Sequence, residues 1–344
     1  MRLVQHPAYE DARRRLRTAL DDHRPGHMVF IIGPSGVGKT TLRHSVMQEL
    51  FGNPYQWGRG RAPAVQVFAT LPNRAYYSSK DMARNLVDEL HAPRLDWLLK
   101  ASSLPRQTVM SIEAELEECR RVWNGIRPMR ATEGEWWAMF ERGLLARGCK
   151  YVSIDQVTAL LKNHRDTSPA DHTLHLMALA ESAGVMCLMT GVHEAVRLWD
   201  VHSELRRRVT TVWAPPYSDT RPGDRIPFLR LLKFLGAREQ LYRKDLLLRM
   251  ASEVLAATGG VIGEVMQLLD RARKCATEDG SDRIAKRHIE ASYYGDVELL
   301  SLWRDIEAFE YAMRAGSVQK RAALARMRWD KVPQETCKGV PAND

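Results

Sequence analysis

The sequence predicts an α/β protein: a parallel sheet flanked by helices, followed by a small unit built of helices alone. Three observations carry this. Residues 29–45 read VFIIGPSGVGKTTLRHS, an apolar run, a glycine-rich turn and a helix-like segment. Further apolar runs at 64–69, 150–155 and 185–190 are separated by helical patterns, the order that builds parallel sheets. From 224 to 297 strand patterns stop and helical spacing alone continues.

The elements follow in order. Residues 7–22 predict an amphipathic helix with Tyr9, Ala12, Leu16 and Leu20 on one face. Strand 28–32 leads into the glycine-rich turn, and a helix runs from Lys39 to Leu50. A Gly-, Pro- and Arg-rich loop at 52–63 precedes strand 64–69. A helix over 79–91, capped by Ser78 or Ser79, stops at Pro93. Residues 94–132 read as a largely helical insertion with no assigned chemistry. Trp136 and Trp137 open a helix to Arg147 and belong in the core. Strand 150–155 is followed by a polar, basic excursion at 158–172, helix 173–182 and strand 185–191. Residues 193–206 read as helix and 210–213 as strand. Helices are then expected over 227–235, 244–257, 263–278 and 282–294. Residues 301–344 read as a basic helix and a Pro/Lys/Gly tail without order.

Composition narrows the function classes. The chain has 344 residues, 44% of them hydrophobic, enough for a substantial core. Its net charge of +9 favours a polyanionic partner, nucleic acid before a membrane. The five cysteines (119, 149, 187, 275, 337) form no C-x-x-C pair, which fits a reducing cytoplasm and no zinc site. No apolar stretch is long enough to span a bilayer.

The chemistry centres on Gly33-Pro34-Ser35-Gly36-Val37-Gly38-Lys39-Thr40-Thr41, which fits G-x-x-x-x-G-K-[ST] between strand and helix. Such glycines turn backbone N–H groups inward around phosphates, and the helix N-terminus adds its partial positive charge. Lys39 would reach phosphate oxygens, and the Thr40 hydroxyl would ligate Mg²⁺. The ligand class is ATP with Mg²⁺. Asp155, at the end of an apolar strand, is placed to hold Mg²⁺ beside Thr40. The next residue in AAA+ ATPases is usually a Glu that polarises water; here it is Gln156, which cannot accept a proton. Either the natural protein turns ATP over slowly, or this is a deliberate Glu→Gln change. Thr190 stands where a side chain would sense the γ-phosphate, against the plainer reading of a strand-end threonine. Arg208, with Arg207 second, suits a finger reaching a neighbouring subunit's nucleotide; a solvated basic cluster or a DNA contact is the alternative. Lys162 and Arg165 are candidate DNA-phosphate contacts on charge alone.

These pieces together resemble the TniB/TnsC group of AAA+ transposition regulators, with MuB more distant. The resemblance covers about 1–297. It rests on His6-Pro7, GPSGVGKTT and YVSID, and on Leu205-Arg206-Arg207-Arg208-Val209 leading into Trp213-Ala214-Pro215-Pro216-Tyr217. Thr258-Gly259-Gly260-Val261-Ile262-Gly263-Glu264 followed by Leu268-Leu269 makes it specific. It implies an N-terminal helix (1–26), an AAA+ α/β domain (27–220, with 94–132 inserted), an all-helical lid (221–297) and a basic C-terminal helix with a tail (298–344). It also implies a cytoplasmic bacterial protein that assembles with itself into a ring, hexameric or heptameric, or a helical filament on duplex DNA. Such a protein links a TniQ-type targeting factor to transposase subunits. The resemblance places Thr158 near the DNA backbone. The departures are Gln156 and the 94–132 insertion. Two other classes stay open: a helicase loader of the IstB or DnaC type, and a STAND-type signalling NTPase. The short stretch after the lid disfavours the latter.

Overall fold

The structure, a computed structural model, describes residues 7–69, 77–99, 105–161, 168–200 and 202–314. At its centre lie five parallel strands in the order β2-β3-β4-β1-β5. They are β1 (Met28–Ile32), β2 (Ala64–Phe68), β3 (Tyr151–Asp155), β4 (Met186–Gly191) and β5 (Val209–Trp213). β1, β3 and β4 are buried along their whole length. That is why they read as near-continuous apolar runs rather than alternating ones. Parallel pairing sends every C-terminal strand end to one edge, where the β1 turn, Asp155 and Gly191 meet.

Helices cover both faces. α1 (Pro7–Asp21) and α2 (Lys39–Phe51) pack on one side, where Leu16, Leu20, Leu42 and Val46 join Val29, Ile31 and Leu188. On the other side lie α3 (Ser79–His91), α6 (Glu133–Arg147) and α7 (Pro169–Ser182), against Phe30, Val152 and Met189. Trp136 and Trp137 are buried there. α6 starts with a capping box in which the Thr132 hydroxyl accepts from Glu135 N–H, and it stops at Gly148 with positive φ. The insertion forms α4 (Asp96–Leu99) and the long α5 (Arg106–Ile126). α5 is tied to α3 through Asp88, which accepts from the Trp123 indole (2.8 Å) and from Arg127.

Beyond β5 the chain is helical: α9 (Arg225–Gly236), α10 (Leu246–Arg249), α11 (Ala251–Thr258), α12 (Ile262–Glu278), α13 (Lys286–Glu290) and α14 (Asp296–Met313). α9 to α13 share a core of Phe228, Leu232, Leu247, Val254, Leu268 and Ile289.

Several elements differ from the sequence expectation. The helix expected over 193–206 is a 3₁₀ turn, His193–Leu198, and then the five-residue α8 (Ser203–Arg207). The stretch 244–257 breaks at Met250, and 282–294 keeps only Lys286–Glu290 helical. The terminal helix is acidic rather than basic over its described length. It carries Asp296, Glu298, Asp305, Glu307 and Glu310 against Arg304; residues 315–344 lie outside the described residues. α14 bridges the two units instead of trailing away. The Trp303 indole donates to the Ala256 carbonyl at 3.0 Å, while Phe309 is buried in the sheet-side core beside Trp213. Cys119, Cys149, Cys187 and Cys275 are free thiols. No described helix is long and apolar enough to cross a membrane.

Candidate functional site: a phosphate-loop cleft

A cleft of about 560 Å³ opens at the C-terminal edge of the sheet, a volume typical of ligand sites. Ser35, Gly36, Gly38, Lys39 and Thr40 form one wall, with Asp155, Gln156, Thr158, Thr190 and Glu194 opposite. The loop needs its glycines. Gly36 and Gly38 have φ of +75° and +97°, which side chains rarely adopt. Gly33 lies against the chain after β5, where a Cβ would stand 2.4 Å from the Ala214 carbonyl oxygen. α2 starts immediately after Gly38, so its unpaired N–H groups face the cleft.

Lys39 lies back along the loop, donating from Nζ to the carbonyls of Gly33 (2.8 Å) and Pro34 (2.7 Å). Burial lowers its pKa to about 8, against the opposing pull of Asp155. Thr40 Oγ1 donates to Asp155 Oδ2 at 3.1 Å. A hydroxyl and a carboxylate side by side are oxygen donors suited to a hard cation. Among the described residues no group of three or more His, Cys, Asp or Glu could hold a metal. A divalent ion here would therefore share its ligands with phosphate oxygens, as Mg²⁺ does.

Gln156 has φ of +56°, the one non-glycine with positive φ among the described residues. Its N–H donates to Asp155 Oδ1 at 2.9 Å, and its side chain is exposed in the cleft. A left-handed residue costs about 1 kcal/mol, and such strain gathers at functional sites. Thr158 is half-buried on the 3₁₀ turn Val157–Leu161 and lines the same cleft. Lys162 and Arg165 lie outside the described residues. Thr190 is buried, and its hydroxyl contacts the Ile154 carbonyl at 3.4 Å.

The structure does not bring Arg207 and Arg208 to this cleft. Met28 pairs with Val209, and Met28 N–H donates to the Arg208 carbonyl at 2.8 Å. Arg208 is thus level with the start of β1, while the phosphate loop begins beyond its end. At about 3.3 Å per residue the two are a strand's length apart. Arg208 pairs there with Glu181 at 2.6 Å, beside an exposed Arg207.

Three features of the site escaped the sequence reading. Arg43 is fully buried and pairs with Asp155 Oδ2 at 3.0 Å. Its position four residues after Lys39 on the helix was the available signal, since such residues share a face. Glu194 is the second carboxylate lining the cleft, and nothing in its sequence context marks it. Third, the bundle rests on the phosphate loop: Gly263 N–H donates to the Gly36 carbonyl at 3.0 Å, and Tyr217 N–H donates to the Gly260 carbonyl at 3.0 Å. Beside this contact an apolar slot of about 20 Å³ lies between Tyr9, Ala12, Val37, Pro216, Tyr217 and Ile262, room for about one water.

A strand, phosphate loop and helix at the centre of a parallel sheet, with a carboxylate ending a nearby strand, define a phosphate-loop nucleotide-binding protein. The chain belongs to a family described as the AAA domain, whose model matches residues 22–198, more than half of it. Among solved structures it is similar to a Walker-type ATPase of Pyrococcus abyssi, with a TM-score of 0.50 and 14% identity over 89% of this chain and 76% of that one. It is also similar to Cdc6p of Pyrobaculum aerophilum, with a TM-score of 0.53 and 16% identity over 85% and 68%. At such identity the likeness is one of fold. No curated protein matches the chain.

Proposed function

We propose that this protein is an ATP-dependent regulator of DNA transposition that assembles with itself on duplex DNA. In this reading it links a TniQ-type targeting factor to transposase subunits, as the TniB/TnsC resemblance implies. The observation that carries it is the separation of Arg207 and Arg208 from the chain's own cleft. These arginines cannot serve the nucleotide beside Lys39 of the same subunit. In this reading they serve a neighbour's instead, which would make the nucleotide part of an interface.

The residues divide the work. The loop N–H groups and the α2 N-terminus cradle the phosphates, and Lys39 turns from the Gly33 and Pro34 carbonyls to the triphosphate. Thr40 and Asp155 would hold Mg²⁺, which supplies charge neutralisation on the phosphates. Gln156 orients a water through its amide but takes no proton from it, so bound ATP persists. The apolar slot beside Tyr9 and Tyr217 takes the base once α1 or the bundle shifts, so the helical bundle acts as a lid. In this reading Thr158, Lys162 and Arg165 would contact DNA phosphates, in contacts that are salt-sensitive and weakly sequence-selective.

The test is electron microscopy of the protein with duplex DNA and a non-hydrolysable ATP analogue. Rings or filaments that depend on both are expected. Monomers alone, with or without DNA, would overturn the proposal.

A further inference from the structure

Arg43 is the least expected group in the molecule. It is fully buried, on the helix that follows the phosphate loop. Its guanidinium spans three side chains of β3 and β4. Nη2 pairs with Asp155 Oδ2 at 3.0 Å, while Nη1 lies 3.3 Å from Ser153 Oγ and 3.4 Å from Thr190 Oγ1. Nη2 also approaches His44 Nε2 at 3.1 Å. Burial and the neighbouring Arg43 hold His44 to about 4; the ring is neutral at pH 7 and its Nε2 accepts. Nε has no partner. Ser153 and Thr190 are fully buried, so the guanidinium has no route along which to snorkel into water.

The consequence follows from counting charges. Asp155 Oδ1 accepts from Gln156 N–H, and Oδ2 accepts from Thr40 Oγ1 and Arg43 Nη2. A bare carboxylate beside a triphosphate repels it, and a divalent cation ordinarily removes that repulsion. Here the carboxylate already has a fixed cation on its inner side. We propose that Arg43 is a positioning residue of the nucleotide site, a standing counter-charge to Asp155 that makes triphosphate binding largely independent of a divalent cation. It also ties Asp155 to Thr190, so that the two strand ends move as one. The inference rests on the nucleotide-binding reading and goes beyond it.

The test begins with the unaltered protein. A fluorescent ATP analogue is titrated in EDTA and again in Mg²⁺. The two affinities should agree within about tenfold; a larger gap would overturn the inference while leaving nucleotide binding standing. Absence of binding in both buffers would overturn the nucleotide reading and this inference with it. Arg43→Gln keeps an amide donor but no charge. It should lose about tenfold or more in EDTA and under about threefold in Mg²⁺, and Arg43→Lys should recover the EDTA binding. Equal losses in both buffers would show a purely structural arginine. Should Arg43→Gln fail to fold, the comparison on the unaltered protein still tests the cation independence, and a gap of more than about tenfold there would overturn the inference.

Discussion

The contact between Gly36 and Gly263 offers the sharpest mutational test of the site. A Cβ added at Gly263 would stand 2.9 Å from both Cα and O of Gly36 and 3.3 Å from its carbonyl carbon. All three atoms are backbone, so no side chain can rotate away. The loop and the bundle must separate by roughly half an ångström to reach ordinary contact. The Gly263 N–H to Gly36 carbonyl bond, 3.0 Å long, is then lost, at about 1 kcal/mol. Overpacking adds about 1–3 kcal/mol, while alanine's better helix propensity returns up to about 1 kcal/mol. Gly263→Ala should therefore destabilise by about 1–3 kcal/mol, a fall of several degrees in melting temperature. Because the displaced atoms belong to the phosphate loop, nucleotide affinity should fall as well. Gly134→Ala is the control: it lies in a helix with nothing within 4 Å of the added Cβ, and should be neutral or slightly stabilising. Scanning calorimetry and titration with a fluorescent ATP analogue read both effects. If Gly263→Ala melted and bound like the parent, the bundle would not rest on the loop as described.

Other expectations can be checked directly. Gln156→Glu restores a proton acceptor and should raise ATP turnover by about 10²–10⁴-fold; equal steady-state rates would show that Gln156 is not what slows hydrolysis. Lys39 binds phosphate only when protonated, and burial holds it at about 8 in the free protein. Triphosphate affinity should be flat below that pH and fall up to about tenfold per unit above it; titrations from neutral to alkaline pH would show no bend if the lysine were not the contact. Arg208→Ala breaks only a solvent-screened pair with Glu181, worth under about 1 kcal/mol. It should leave melting and monomer nucleotide binding intact while abolishing assembly on DNA, measured by electron microscopy.

Much of the α/β unit was readable in the chain. Completely buried parallel strands are mostly apolar, so β1, β3 and β4 announced themselves. The phosphate loop did too, because Gly36 and Gly38 occupy backbone conformations that glycine adopts most easily. Periodicity served less well where helices are short. α8 and α13 have five residues each, too few for an apolar stripe to separate helix from turn. The insertion's tie to α3 through Asp88 had no local signature, since Trp123 and Arg127 meet it only across helices.

The site divides in the same way. Local sequence determined the parts whose function depends on backbone shape and immediate neighbours: the phosphate loop, Lys39, Thr40, and an aspartate at a strand end. Tertiary structure alone decided what depends on strand order. Placing β4 between β3 and β1 brought Thr190 and Asp155 to one buried arginine. Placing β5 on the far side of β1, in register with it, left Arg207 and Arg208 at the opposite edge from the loop. The return of the bundle set Gly263 against Gly36. Each of these contacts joins residues distant in the chain, and the order in which strands pair selects them.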